Sequence, residues 1–114
     1  MMRKLGDEAL EDVARYFGAL SVGMRLKLLN ALREGERTVG ELTEAAGCTQ
    51  ANASKHLAVL AANGVVARTR RGTSAYYRIV DPRIFGLCDV VCGQIGRRYR
   101  GDSRRRRVFV RAAR

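Results

Sequence analysis

Cys88 and Cys92 stand four residues apart, and Cys48 is the third thiol of the chain. On an intact helix, side chains at i and i+4 have their β-carbons about 5–6 Å apart. A disulfide needs them at about 3.8 Å. The pair therefore does not close on itself, but it can grip one soft ion, because thiolates select thiophilic species. As(III), Sb(III), Cu(I) or a soft divalent ion suits such a pair. Two thiolates underfill the site, so a third ligand would come from Cys48 or from a cysteine of a second copy. The other chemistry open to these residues is oxidation or persulfidation, with disulfides forming between chains. The competing interpretation is packing. Cys88 falls in an apolar stripe with Ile84, Val91 and Ile95, and free cysteine is among the most buried residue types.

No catalytic set accompanies the thiols. The spacing is Cys-x3-Cys, not the Cys-x-x-Cys that follows a strand in dithiol oxidoreductases. There is no Ser/His/Asp set, no paired-carboxylate cleft and no phosphate loop, and the one histidine, His56, leaves little for acid–base work. The chain is expected not to be an enzyme.

The elements that must carry these residues are legible from period and caps. Residues 8–20 and 24–33 read as helices; in the second, Met24, Leu28, Ala31 and Leu32 recur at helical spacing. Thr38-Val39-Gly40-Glu41 matches a capping box and opens a third helix, whose buried side is Leu42, Ala45 and Ala46. Gly47 suits its left-handed end. Thr49 is a good N-cap for a fourth helix, to about Asn63, with Ala53, Leu57, Leu60 and Ala61 as its apolar stripe. Two short helices joined by a tight glycine turn form a helix-turn-helix. After Gly64 the period changes to two: Val65–Arg70 and Ala75–Val80 flank Arg71-Gly72-Thr73-Ser74, a hairpin with a basic tip. Asp81 and Pro82 suit the N-cap and first position of a last helix. Ile84, Leu87, Cys88, Val91 and Ile95 line one of its faces.

The fourth helix has an exposed side opposite its stripe. Gln50, Asn52, Lys55 and His56 lie off the apolar face within two turns of its N-terminus. Amides pair with adenine and lysine reaches guanine in the major groove, while hydroxyls serve bases or phosphate. This place explains His56 without metal ligation. Arg68, Arg70, Arg71 and Thr73 then fit a wing that holds the DNA backbone or enters the minor groove. The alternative is an ordinary solvated polar face.

The stretch TVGELTEAAGCTQANASKHLAVLAANGVVARTRRGTSAYYRIVD resembles the winged-helix domain of the ArsR/SmtB family of bacterial repressors, and LSVGMRLKLLNAL resembles that family's second helix. The resemblance covers roughly residues 10–95. It implies a mainly α fold with a β-hairpin wing, in the order α-α-α-α-β-β-α, and a homodimer built through the first and last helices. It also implies binding to double-stranded DNA at an inverted-repeat operator, relieved by a metal, a metalloid or a thiol-reactive signal. By position, Thr49, Gln50, Asn52, Ser54, Lys55 and His56 fall where the family contacts DNA. The chain departs from the best-known sensors in two places. Arg37-Thr38-Val39-Gly40 replaces the cysteines that several members carry at the start of the third helix. Asp81 survives from the zinc set of the last helix, but its partners read Arg83, Gln94 and Arg97. That leaves Cys88, Cys92 and Cys48 as the candidate sensing residues. A DNA-binding regulator without small-molecule input, its cysteines structural, is the alternative.

Charge divides the chain. Its net charge is +11, and nine arginines against Asp102 alone put most of it in residues 97–114. Residues 1–96 are expected to form the DNA-binding and dimerisation domain, and 97–114 a disordered basic tail. Either part can seek phosphate or an anionic surface. The tail has no adjacent apolar face for membrane attachment. No run approaches the roughly 18 apolar residues of a membrane span. Met1–Leu10 lacks the apolar core of a signal peptide. The chain reads as cytoplasmic, and its three cysteines suit a reducing compartment.

Overall fold

The computed structural model describes residues 4–99 and 101–112, in two compact units, Met1–Val80 and Asp81–Arg114. In the first unit, α1 (Asp7–Leu20) and α2 (Gly23–Ala31) precede a 3-10 turn at Leu32–Glu34. A short strand β1 (Arg37–Thr38) leads into α3 (Val39–Ala46) and α4 (Gln50–Ala62), and β2 (Val66–Arg71) and β3 (Ser74–Ile79) form the hairpin. The winged helix-turn-helix expected from the sequence is present.

Leucines from three helices close the core of this unit. Leu28, Leu42, Leu57 and Leu60 are wholly buried, and Val65, Val66 and Tyr77 from the hairpin join them. Each such leucine contributes about 1.5–3 kcal/mol when removed from water. Ala53, Leu57 and Leu60 form the buried stripe of α4 as expected, with Ala61 half-buried. Ala45, expected on the buried side of α3, is exposed; Leu42 and Ala46 fill that side alone.

Local chemistry fixes the two helices of the motif. The Thr38 hydroxyl accepts from the Glu41 N–H at 3.1 Å, and the Glu41 carboxylate accepts from the Thr38 N–H at 2.9 Å. Gly47 ends α3 in the left-handed region (φ 68°, ψ 44°), where a β-carbon would be strained. This turn lets the N–H groups of Gly47 and Cys48 both donate to the Thr43 carbonyl. The Thr49 hydroxyl then caps α4 by accepting from the Asn52 N–H at 3.1 Å.

Thr38→Ala is expected to cost about 0.5–2 kcal/mol, seen as a lower midpoint in urea unfolding; an unmoved midpoint would remove the box from the account. The two bonds from Thr38, its backbone N–H first, hold the Glu41 carboxyl below its ordinary value. A depressed carboxyl contributes stability above its unfolded pKa and loses it as pH falls through the folded value. Alanine keeps the backbone N–H and removes only the hydroxyl, so the substitution should flatten the acid limb of the stability profile in part.

The hairpin pairs Val66 with Ile79 and Arg71 with Ser74; each strand lies one residue nearer the turn than read from sequence, in the same register, with Arg70 opposite Ala75. The two-residue loop Gly72-Thr73 has positive φ only at Gly72 (63°), the pattern of a type II′ turn. β1, which has no strand pattern of its own, pairs with β3 (Arg37 with Tyr77, Thr38 with Tyr76), so the sheet has the order β1-β3-β2.

The second unit holds α5 (Ile84–Arg98) and α6 (Ser103–Ala112). Asp81-Pro82 does not itself open the helix. It forms a turn, with the Asp81 carboxylate accepting from the Arg83 N–H at 2.9 Å, and helical residues begin at Ile84. The boundary expected at residue 96 falls inside α5, and the tail expected to be disordered is helical over Ser103–Ala112. Arg100 and residues 113–114 of that tail, like residues 1–3, lie outside the described residues.

Candidate nucleic-acid interface

α4 carries two thin walls of polar residues beside a flat centre. Opposite the Ala53–Leu57–Leu60 stripe, the outward face is Ala51, Lys55 and Ala58, all exposed. Ser54 and Gln50 flank it on one side, both exposed, and Asn52 flanks it half-buried on the other. Sequence reasoning named the polar residues and passed over Ala51 and Ala58. Their signal was their place one helical turn on either side of Lys55. Small side chains there let a helix approach a groove closely, and alanine suits the thymine methyl.

Two of the predicted residues at the start of α4 already have structural partners. The Thr49 hydroxyl is engaged in capping. His56 is half-buried, and its Nδ1 accepts from Arg25 Nε at 3.1 Å. The same guanidinium donates to the carbonyls of Ala19 (3.3 Å) and Gly18 (3.5 Å) near the end of α1. Arg25 therefore links α1 to α4, and His56 has only Nε2 left to offer a ligand.

The wing divides its arginines between two faces. Strand alternation puts Arg68 and Arg70 on the side of their partners Tyr77 and Ala75. Arg71 lies on the opposite side with Arg78, a residue the sequence reading did not single out. Arg71 is also ion-paired to Glu36 and sits 4.0 Å over the Tyr76 ring. Part of its charge is thus spent on joining the hairpin to the segment before β1. Arg68, Arg70 and Thr73 are exposed.

The thiols fall on two elements. Cys48 is half-buried in the α3–α4 turn, lining a shallow open cleft with Met24, Asn52 and Lys55. Cys88 and Cys92 lie one turn apart on α5, both half-buried. Among the described residues, no three His, Cys, Asp or Glu side chains converge as a metal site. At the start of the second unit Arg83 forks onto Asp81, with bonds of 2.7–3.1 Å from its Nε and Nη2. This bonding holds the Asp81 carboxyl below its usual value and raises that of Arg83. The carboxylate that matched a zinc ligand thus has a built-in cation.

Large apolar side chains remain uncovered on both helices that the resemblance assigned to dimerisation. On α1 these are Leu10, Val13 and Phe17, which is half exposed; on α5 they are Leu87, Val90 and Val91, with Val90 at 70%.

Comparison with known proteins places this architecture. The family model for bacterial regulatory proteins of the arsR family matches residues 24–68, from α2 into β2. The antimony-specific transcriptional repressor AntR, whose crystal structure is solved, is 32% identical; the match covers 82% of this chain and 86% of that one, with a TM-score of 0.71. The chain belongs to the arsR family. The homodimeric winged helix-turn-helix DNA-binding domain from Mycobacterium bovis, solved by NMR, is 35% identical with a TM-score of 0.73, over 87% of this chain and 97% of that one. A probable mercury resistance operon repressor of Streptomyces lividans is 42% identical over 68% of this chain. The chain spans 39–62% of the length of the first curated relatives it matches. Among the described residues of this arsR-family chain, no helix is long and apolar enough to cross a membrane.

Proposed function

We propose that this chain is a cytoplasmic transcriptional repressor that binds double-stranded DNA as a homodimer and is released by a thiophilic metal, a metalloid or a thiol-reactive signal. The observation that carries the reading is the exposed start of α4 beside a basic hairpin. Gln50, Asn52, Ser54 and Lys55 project around Ala51, with Thr49 and His56 at the margins. Arg68, Arg70, Arg71 and Thr73 supply contacts to the backbone. The uncovered apolar faces of α1 and α5 support pairing of two chains, since large apolar patches on a small domain mark interaction surfaces. A symmetric pair addresses two half-sites of an inverted repeat about 34–36 Å apart.

The signal enters through Cys88 and Cys92. Their one-turn separation gives two thiolates for As(III), Sb(III) or another soft ion, and a cysteine of a second copy completes the set. The naming of relatives for mercury and antimony supports that class of inducer. The half-burial of Cys88 on the apolar face favours a second reading, in which the cysteines pack and the regulator takes no small-molecule input.

One titration separates the two. The wild-type chain is bound to a duplex enriched from a random-sequence pool and challenged with As(III), Sb(III), Cu(I), Cd(II) and persulfide donors. Release of wild type but not of the Cys88→Ser/Cys92→Ser variant is the expected result. Equal release of both sinks the cysteine sensor.

A further inference from the structure

We infer that α6 is a second nucleic-acid surface, an anchored basic helix that engages duplex phosphates without reading bases. The inference rests on the proposed DNA binding of this chain. The sequence alone suggested a loose arm, but the second unit gives the arginines a scaffold. Tyr99, at the end of α5, stacks on Phe109 of α6 with ring centroids 5.7 Å apart. The Arg105 guanidinium lies over the same Tyr99 ring at 4.9 Å. Asp102, the one acid of residues 97–114, is used as a cap: its carboxylate accepts from the Arg105 N–H at 3.1 Å. One face of α6 is thus committed to α5. Arg104, Arg106 and Arg107 remain exposed.

This arrangement is unfavourable for the helix by itself. Arg104 and Arg107 are like charges at i, i+3, neighbours on the helix surface that repel one another. Cations in a first turn also oppose the helix dipole, and α6 has no acidic residue there. The single carboxylate of Asp102 at the helix start offsets only part of this charge, and a local rule broken to this degree is expected at a functional site. A phosphate chain supplies the missing negative charge, and arginine presents a planar fork to it. A lipid surface fits less well. Phe109 is turned onto Tyr99, and the described exposed apolar residue of α6 is Val108 alone, whereas interfacial helices need a continuous apolar face.

The test uses the full chain and a labelled duplex of arbitrary sequence, with affinity measured by anisotropy across a KCl series. Each lost phosphate contact flattens the log K against log salt slope by about 0.9. The Arg104→Gln/Arg106→Gln/Arg107→Gln variant keeps good helix formers and the Tyr99 stack, and should flatten the slope by about 2.7 per protomer. Phe109→Ala keeps every charge but removes the anchor. It too should flatten the slope, with a loss of helical circular dichroism. A triple variant with the wild-type slope overturns the inference while leaving the DNA-binding reading intact. So does a triple variant that loses only its binding to phosphatidylserine vesicles. Phe109→Ala with the wild-type slope overturns the anchored helix in favour of a loose arm. A wild-type chain that binds no duplex overturns both readings.

Discussion

Leu57→Ala is expected to lower the unfolding free energy by about 2–5 kcal/mol, the range for truncating a fully buried leucine. Leu57 is wholly buried, on the stripe of α4 that meets the other helices of the first unit. The effect is large against a total of about 5–15 kcal/mol for a domain of ordinary stability. The cavity would lie directly behind the proposed DNA-reading face, so partial collapse around it tilts α4. Urea unfolding at one fixed chain concentration gives the number, because pairing makes the midpoint concentration-dependent. A loss below about 1 kcal/mol would show that the site collapses fully and that Leu57 is not a keystone of the core.

Lys55→Ala is expected to weaken binding to an enriched duplex by roughly 1–3 kcal/mol per half-site, or about 5- to 150-fold. Lys55 projects from the centre of the outward face of α4, between Ala51 and Ala58, and points away from the buried stripe. Its removal leaves the core untouched, so circular dichroism should match the wild type. Anisotropy on the enriched duplex and on a scrambled one separates base reading from charge. A loss confined to the enriched duplex marks a base contact. An equal loss on both marks a phosphate contact. A change under about twofold on both would remove α4 as the reading helix.

The parts of the fold that could be read in advance are those set by neighbours in sequence. The capping box at Thr38 and Glu41, the left-handed Gly47 and the stripe of Ala53, Leu57 and Leu60 are all decided within four residues. They appear where the pattern placed them. What escaped was decided over longer distances or by competing uses of one residue. β1 consists of Arg37 and Thr38, and its strand character comes from β3. The hairpin register was read correctly, with Arg70 opposite Ala75, but the turn was read too long, because Arg71 and Ser74 pair and Gly72 and Thr73 alone make it. Asp81 bonds Arg83 and so starts a turn before the helix. In the second unit Tyr99 stacks on Phe109 of α6, two aromatics embedded in a run of charge.

The candidate site shows the same division. Gln50, Asn52, Ser54 and Lys55 were visible because helical period alone puts them off the stripe. The reach of Arg25 to His56 spans 31 residues, and that of Arg71 to Glu36 spans 35. Neither partnership leaves a trace in local spacing. Each reassigns part of a predicted DNA contact to holding the fold.

The uncovered leucines, valines and phenylalanine of α1 and α5 have a consequence for gene dosage. On the proposed pairing, the species competent for an inverted repeat is the pair, while synthesis delivers single chains. Below the pairing constant, mass action makes the number of pairs rise as the square of chain concentration, so doubling expression gives about four times the occupied-operator potential. Above it the response becomes proportional. A cell that dilutes this chain by growth would therefore lose repression more abruptly than it loses the protein, and would do so with no inducer present.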